Sequence, residues 1–290
     1  MTVTILSPRP LITPRKAAIF SGALLVAVFM FLPFIWAFVL SFKDNTTLYA
    51  NPLSLPKDWD FSLYADTFNK ASMPTLFRNS FIVASLTTLG ALIINFPSSF
   101  AIARLHHRHG AMGDFFYYLF LIGSAVPLFI TLFPIYTIAQ GLQPIGLGID
   151  SIFGLIPPYI AGSIPFNTLV FVGAMRGIPI DLEEAAILDG ASLLRILTHI
   201  TLPLMAPVVA TLAIFNFLGA WNEWTLASIL LNSSDNYTIP LAASFFKEQY
   251  GMDAAAVMRA VIIVLIPQMI FYAIFQKRIV QGIATTGLKG

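Results

Sequence analysis

The sequence predicts an all-α protein that crosses a membrane six times, and three observations predict it. Of its 290 residues 57% are hydrophobic and 10% charged, against roughly a quarter charged in a soluble domain. Mean hydropathy is +0.81. The apolar residues also fall in runs of about 20 or more, the length a helix needs to cross the hydrocarbon core, rather than in short periodic patches.

Residues 1–16 are expected to form a cytoplasmic N-terminal segment, and the first run covers 17–42. That run exceeds the roughly 7 to 15 apolar residues of a cleaved signal peptide, so it is expected to stay as an anchor. The segment 43–75 carries Pro52, Pro56, Asp58, Trp59 and Asp60. It reads either as a small extracytoplasmic cap or as a connector whose Tyr49, Trp59, Phe61 and Tyr64 sit at the membrane interface. Five further spans follow at 76–103, 115–139, 152–175, 207–231 and 254–275, then a tail at 276–290. Pro127 with Pro134, and Pro157 with Pro165, predict that the third and fourth spans are bent or broken, because each proline removes a backbone donor. Bent spans often line transport paths.

Orientation follows from the basic residues, which tend to remain on the cytoplasmic side. With both termini inside, Arg9, Arg15, Lys16, Arg104, Arg108, Arg176, Arg195, Lys277, Arg278 and Lys289 lie inside. Only Lys43, Lys57, Lys70, Arg78 and Lys247 then lie outside. The expected location is therefore the cytoplasmic membrane, multi-pass, with both termini cytoplasmic.

Several functions are disfavoured by what the chain lacks. A net charge of +2 without a broad basic face argues against nucleic acid, and the absence of cysteine removes disulfides and thiolate chemistry. There is no phosphate loop, His-Glu-x-x-His helix or Gly-x-Ser-x-Gly elbow, so no catalytic residue is assigned and nucleotide hydrolysis must belong elsewhere. His106, His107 and His109 crowd one loop beside Arg104 and Arg108. No further ligand stands at a spacing that fixes coordination, so no metal site is assigned and the loop reads as an orientation-setting one. Only Glu223 and Arg259 stand at or near membrane depth, which disfavours a proton relay. Trp221-Asn222-Glu223-Trp224 reads as an interfacial belt or packing corner, or as a substrate contact through Asn222 and Glu223.

The inside loop 180–206 is the most informative stretch. Asp181, with Glu184 three residues on, predicts a near capping box for a helix running to about Leu188. Gly190 is expected to take the left-handed conformation that ends it. Ser192 then caps a second helix carrying Leu193, Leu194, Ile196, Leu197 and Ile200, which Pro203 should stop. Two short helices, apolar on one side and placed where water is expected, make either a docking surface or an amphipathic pair lying on the bilayer.

Glu184-Ala185-Ala186, then Gly190, then Ile200-x-Leu202-Pro203, resembles the EAA loop of binding-protein-dependent ABC importer permeases. Trp221-Asn222 and the ending Gly287-Leu288-Lys289-Gly290 further resemble the MalG-like permeases of maltose-type systems. Leu197 departs from the pattern, where an aromatic residue is frequent. The resemblance implies a type I ABC importer permease fold. It also implies half of a translocation path for a carbohydrate, made with a second, MalF-like permease, two ATPase subunits inside and a solute-binding protein outside. ATP and Mg would be bound by the ATPase subunits, with no cofactor in this chain. Glu184, Ala185, Ala186, Asp189, Gly190, Ile200, Leu202 and Pro203 would dock the ATPase, and Lys289 and Gly290 would reach it from the tail. An outer loop near Ser233 to Gly251 would face the binding protein. The alternative is a secondary carrier or channel working without an ATPase.

Overall fold

A computed structural model describes residues 14–108, 110–248 and 251–287 of the chain. The first apolar run folds as α1 (Pro14–Leu40), about 40 Å long at 1.5 Å per residue. Its apolar window buries nothing within the chain and presents Phe, Leu, Val and Ile all round, as a helix solvated by hydrocarbon does.

The segment that follows α1 is a built cap. It contains α2 (Asn45–Ala50), capped by the Asp44 carboxylate on the Thr47 amide, and α3 (Ser62–Lys70). Lys43, 3% exposed, donates to the Asn51 and Pro52 carbonyls at 2.9 and 3.2 Å and to Ser54 Oγ at 3.2 Å. Arg259, 8% exposed, donates to Thr67 Oγ1 at 2.9 Å and to the Ser41 carbonyl at 2.8 Å, so it ties α13, introduced below, to both ends of this cap.

The central helix is α4 (Met73–Arg108), which packs against α5, α7 and α11. The third apolar run is broken, as its prolines predict. It forms α5 (Gly110–Ile122), a 3₁₀ turn at Gly123–Ala125 and an extended Pro127, then α6 (Leu128–Leu142). The fourth run differs from expectation, since α7 (Ile156–Arg176) runs unbroken through Pro165. Neighbouring helices and side-chain hydroxyls accommodate a proline at membrane depth without breaking the helix.

The loop after α7 holds α8 (Asp181–Leu188) and α9 (Leu193–Ile196), a π turn at Leu197–Thr201 and α10 (Leu202–Leu204). The helix ends at Leu204, one residue past Pro203. The proline brings no amide hydrogen to the ladder, and the turn just ahead of it opens to π spacing. The chain then bends by 81° at Met205 into α11 (Ala206–Asn222). The fifth apolar run breaks at Glu223 and Trp224, where no proline or glycine announced it, and resumes as α12 (Thr225–Leu230). Two 3₁₀ turns and a two-residue antiparallel ladder, β1 (Lys247–Glu248) with β2 (Gly251–Met252), lead into α13 (Ala254–Gly287). Among the described residues, five segments are long and apolar enough to cross a membrane, and a sixth if the bent pair around Met205 counts as one span.

Polar contacts divide the bundle into two ends. At one end Arg104 meets Glu183, and Arg176 meets Asp114 at 3.1 Å. At the other, Asn79 Nδ2 donates to the Asp235 and Tyr237 carbonyls at 2.8 and 3.0 Å, and Ser80 Oγ accepts from the Ile239 amide at 2.8 Å.

Candidate functional site

The helix pair at the first end is anchored on its inner side and bare on its outer side. Arg104, on α4, donates from Nε to both carboxylate oxygens of Glu183 at 2.8 Å; its Nη2 makes a third, shorter bond to Oε1 and Nη1 reaches the Met175 carbonyl at 3.3 Å. Glu183 is 5% exposed. Ile196, 1% exposed, inserts from α9 among Phe96, Phe100, Phe171 and Met205. An ion pair thus holds α8, and a buried aliphatic side chain holds α9.

The junction between them is a Schellman motif. The Ala191 amide donates to the Ala186 carbonyl and the Gly190 amide to the Ile187 carbonyl, both at 2.9 Å, with Gly190 at φ +81°. Ser192 Oγ accepts from the Arg195 amide at 3.4 Å, so the second helix is capped as its sequence predicts. The expected capping box at the first helix does not form. Ile180 occupies the cap position without a side-chain bond, and Asp181 is already the first helical residue. Glu183, which sequence reasoning passed over in favour of Glu184, makes the structural bond.

Glu184, Ala185, Asp189, Gly190, Leu202 and Pro203 are exposed, whereas Ala186 and Ile200 are half-buried and pack on the core. Leu188 is 87% exposed and Leu193 and Leu194 are each 69% exposed. The outcome is a rigid platform with an acidic first turn and an aliphatic outer surface, the kind of exposed apolar patch that marks an interface. His109, Lys289 and Gly290 lie outside the described residues.

A second feature is a cavity of about 960 Å³ bordered by α6, α7 and α11. Both breaks border it, through Gly123, Ser124 and Val126 of the third run and Glu223 of the fifth. Glu223 accepts from Tyr159 Oη at 2.6 Å and from the Leu226 and Ala227 amides at 2.9 and 3.1 Å. Those two amides begin α12 and would otherwise lack partners, so the carboxylate both caps the resumed helix and fastens it to α7. Asn222 faces away from the cavity. Its Nδ2 donates to the Leu218 carbonyl at 2.9 Å and its Oδ1 accepts from Gln268 Nε2 on α13 at 3.0 Å, a packing role. Between α7 and α11, Asn167 and Asn216 exchange two bonds of 3.3 Å.

At the opposite end Asp150, at φ +58°, clasps the loop after α12. Its carboxylate accepts from the Asn232 and Ser233 amides at 2.9 and 2.8 Å and from the Ser233 hydroxyl, while Asn236 Nδ2 donates to its carbonyl at 2.6 Å. Burial pushes the Asp150 carboxyl up, but the Ser233 hydroxyl and the Ser233 and Asn232 amides outweigh it and hold the group below the usual carboxylate range. Sequence reasoning placed Asp150 in an outer loop and assigned it nothing.

Residues 95–285 match the family model described as binding-protein-dependent transport system inner membrane component. The chain is 31% identical over 274 residues to the diacetylchitobiose uptake system permease protein NgcG of Streptomyces coelicolor, covering 93% of this chain and 88% of that protein. It is 29% identical over 283 residues to the trehalose/maltose transport system permease protein MalG of Thermococcus litoralis, covering 95% and 98%. Among solved structures, a bacterial ABC transporter that imports the acidic polysaccharide alginate has a chain of the same fold, with TM-score 0.69 and 23% identity over 93% of this chain and 99% of that one.

Proposed function

The chain belongs to the family of binding-protein-dependent transport system inner membrane components, and from that premise we propose that it is the permease subunit of an ATP-binding-cassette importer lining half of a carbohydrate path. The observation that carries the proposal is the platform of α8 and α9. Its inner side is fixed by Glu183 and Ile196, and its aliphatic outer side covers nothing among the described residues.

In this reading the platform docks an ATPase subunit in the cytoplasm, where both termini also lie. Leu188, Leu193 and Leu194 supply apolar contact, and Glu184 and Asp189 offer charge to basic groups of the partner. Residues 180–206 form the coupling loop of a six-span domain covering 17–275. Lys289 and Gly290, in the tail from 276, reach the same partner. A MalF-like permease supplies the other half of the path, and two ATPase subunits bind ATP and Mg. A solute-binding protein delivers the sugar at the end marked by the Asp150 clasp. Closure of the ATPase dimer moves the two coupling loops. Because the ion pair and the Schellman turn stiffen the loop, its displacement passes to α4 and α11 instead of dissipating in side-chain motion. The chain itself performs no catalysis.

Leu188→Asp tests this directly. A side chain 87% exposed has little to lose in folding, so the variant should reach the membrane at wild-type abundance yet fail to retain the ATPase subunits on purification. Full ATPase retention with normal uptake would remove the docking role from this surface.

A further inference from the structure

Resting on the importer reading above, we infer that this half of the path is built for an uncharged polyhydroxy solute and rejects acidic sugars. Among the described residues the cavity is bordered by one charged group, the Glu223 carboxylate, and by no Lys, Arg or His. Its three hydrogen-bond donors, the Tyr159 hydroxyl and two backbone amides, are neutral. None of them carries a charge that would cancel that of the carboxylate.

Three arginines of the bundle are engaged elsewhere. Arg104 is held by Glu183, Arg176 by Asp114, and Arg259 by Thr67 and Ser41. A solute carboxylate, sulfonate or phosphate entering this cavity would therefore meet a negative charge between low-dielectric walls and find no cation on this side. At an effective dielectric near 20, like charges about 10 Å apart lower occupancy on the order of tenfold.

The remaining lining suits sugar hydroxyls and ring faces. Ser124, exposed, borders the cavity with a hydroxyl that donates to the Leu121 carbonyl at 2.7 Å and keeps its lone pairs for accepting. Asn216 borders it with its amide already paired to Asn167, and Phe166 and Phe215 add aromatic surface, their rings 6.0 Å apart. Hydroxyl and ring faces with one uncompensated carboxylate describe a surface for neutral oligosaccharide.

The test uses the whole complex of this chain, its partner permease, ATPase and binding protein in proteoliposomes. Uptake of neutral probes (maltotriose, trehalose, diacetylchitobiose) is compared with that of oligouronates of matched length, for wild type, Glu223→Gln and Glu223→Asp. Neutral uptake alone is expected in wild type. The ratio of acidic to neutral uptake should rise about tenfold in Glu223→Gln and stay at the wild-type value in Glu223→Asp, which keeps the charge. Co-purification of the ATPase reports that each variant is assembled. Oligouronate uptake by wild type, or the same ratio in all three proteins, overturns the inference while leaving the importer reading standing. Failure of every sugar to be taken up, with ATP hydrolysis intact, overturns the carbohydrate reading and this one with it.

Discussion

Glu183→Ala should uncouple the platform from the bundle. The substitution removes three bonds from the Arg104 guanidinium and leaves that cation facing Phe100 and the Met175 carbonyl without a counter-charge. Stranding one member of a buried ion pair costs about 3–5 kcal/mol. The Arg104 side chain keeps 15% of its exposure against 7% for Glu183, so water recovers part of that cost. The expected loss is therefore near the lower end, about 3 kcal/mol, or roughly a hundredfold in the equilibrium holding α8 in place. Amide hydrogen exchange across 181–188 should accelerate by that order, and ATPase retention should fall. Adding Arg104→Ala removes the stranded charge, so the double variant should be less impaired than the sum of the singles, by about 2 kcal/mol in a double-mutant cycle. Unchanged exchange and full ATPase retention in Glu183→Ala would refute the idea that this pair carries the platform.

Other perturbations give distinct outcomes. Gly190→Val places a Cβ at φ +81°, costs about 1–2 kcal/mol, and should weaken ATPase co-purification while leaving membrane insertion intact. Gly154→Ala directs its Cβ into the Gly148 carbonyl oxygen, a backbone atom that cannot rotate aside, so the thermal midpoint of the purified complex should fall. Asp150→Asn should tolerate the left-handed backbone but weaken the bonds to Asn232 and Ser233, by about 1–3 kcal/mol, and speed proteolysis of the loop after α12. Because the folded Asp150 carboxyl is held below its ordinary value, the clasp contributes fully above about pH 3.9 and is lost as pH falls through the lower folded value; the same loop should therefore stay protected at pH 5 and open in stronger acid. Ser192→Cys should resist an impermeant thiol reagent added outside intact cells while Asp58→Cys reacts, and the reverse pattern would invert the orientation.

What could be read in the sequence was what local chemistry decides. The spans were legible because hydrocarbon thickness sets a length, and Gly190 and Ser192 because a left-handed residue and a cap act within one turn. The Arg104 and Glu183 pair was not legible, since its partners stand 79 residues apart and Glu183 sits beside an equally acidic Glu184. Pro165 misled because a proline's effect depends on what its neighbours offer the freed carbonyl. The break at Glu223 was invisible for the opposite reason. Neither Glu nor Trp breaks helices by propensity, and only the bonds from Tyr159 and the α12 amides make an interruption stable there. Of the two polar residues singled out at that point, the structure separates Glu223, on the cavity, from Asn222, on α13.

The outer cap has a consequence for the conditions in which it works. Lys43 and Arg259, 3% and 8% exposed, are satisfied mainly by carbonyl and hydroxyl oxygens, and the carboxylate nearest Arg259, Asp253, stands 4.0 Å away. Dissolved ions screen exposed charge pairs within about 10 Å at 0.1 M but reach buried contacts poorly. A fastening of this kind keeps its strength in dilute and in salty surroundings alike, and, in the orientation proposed above, it sits on the face turned toward a medium whose salinity the cell does not set.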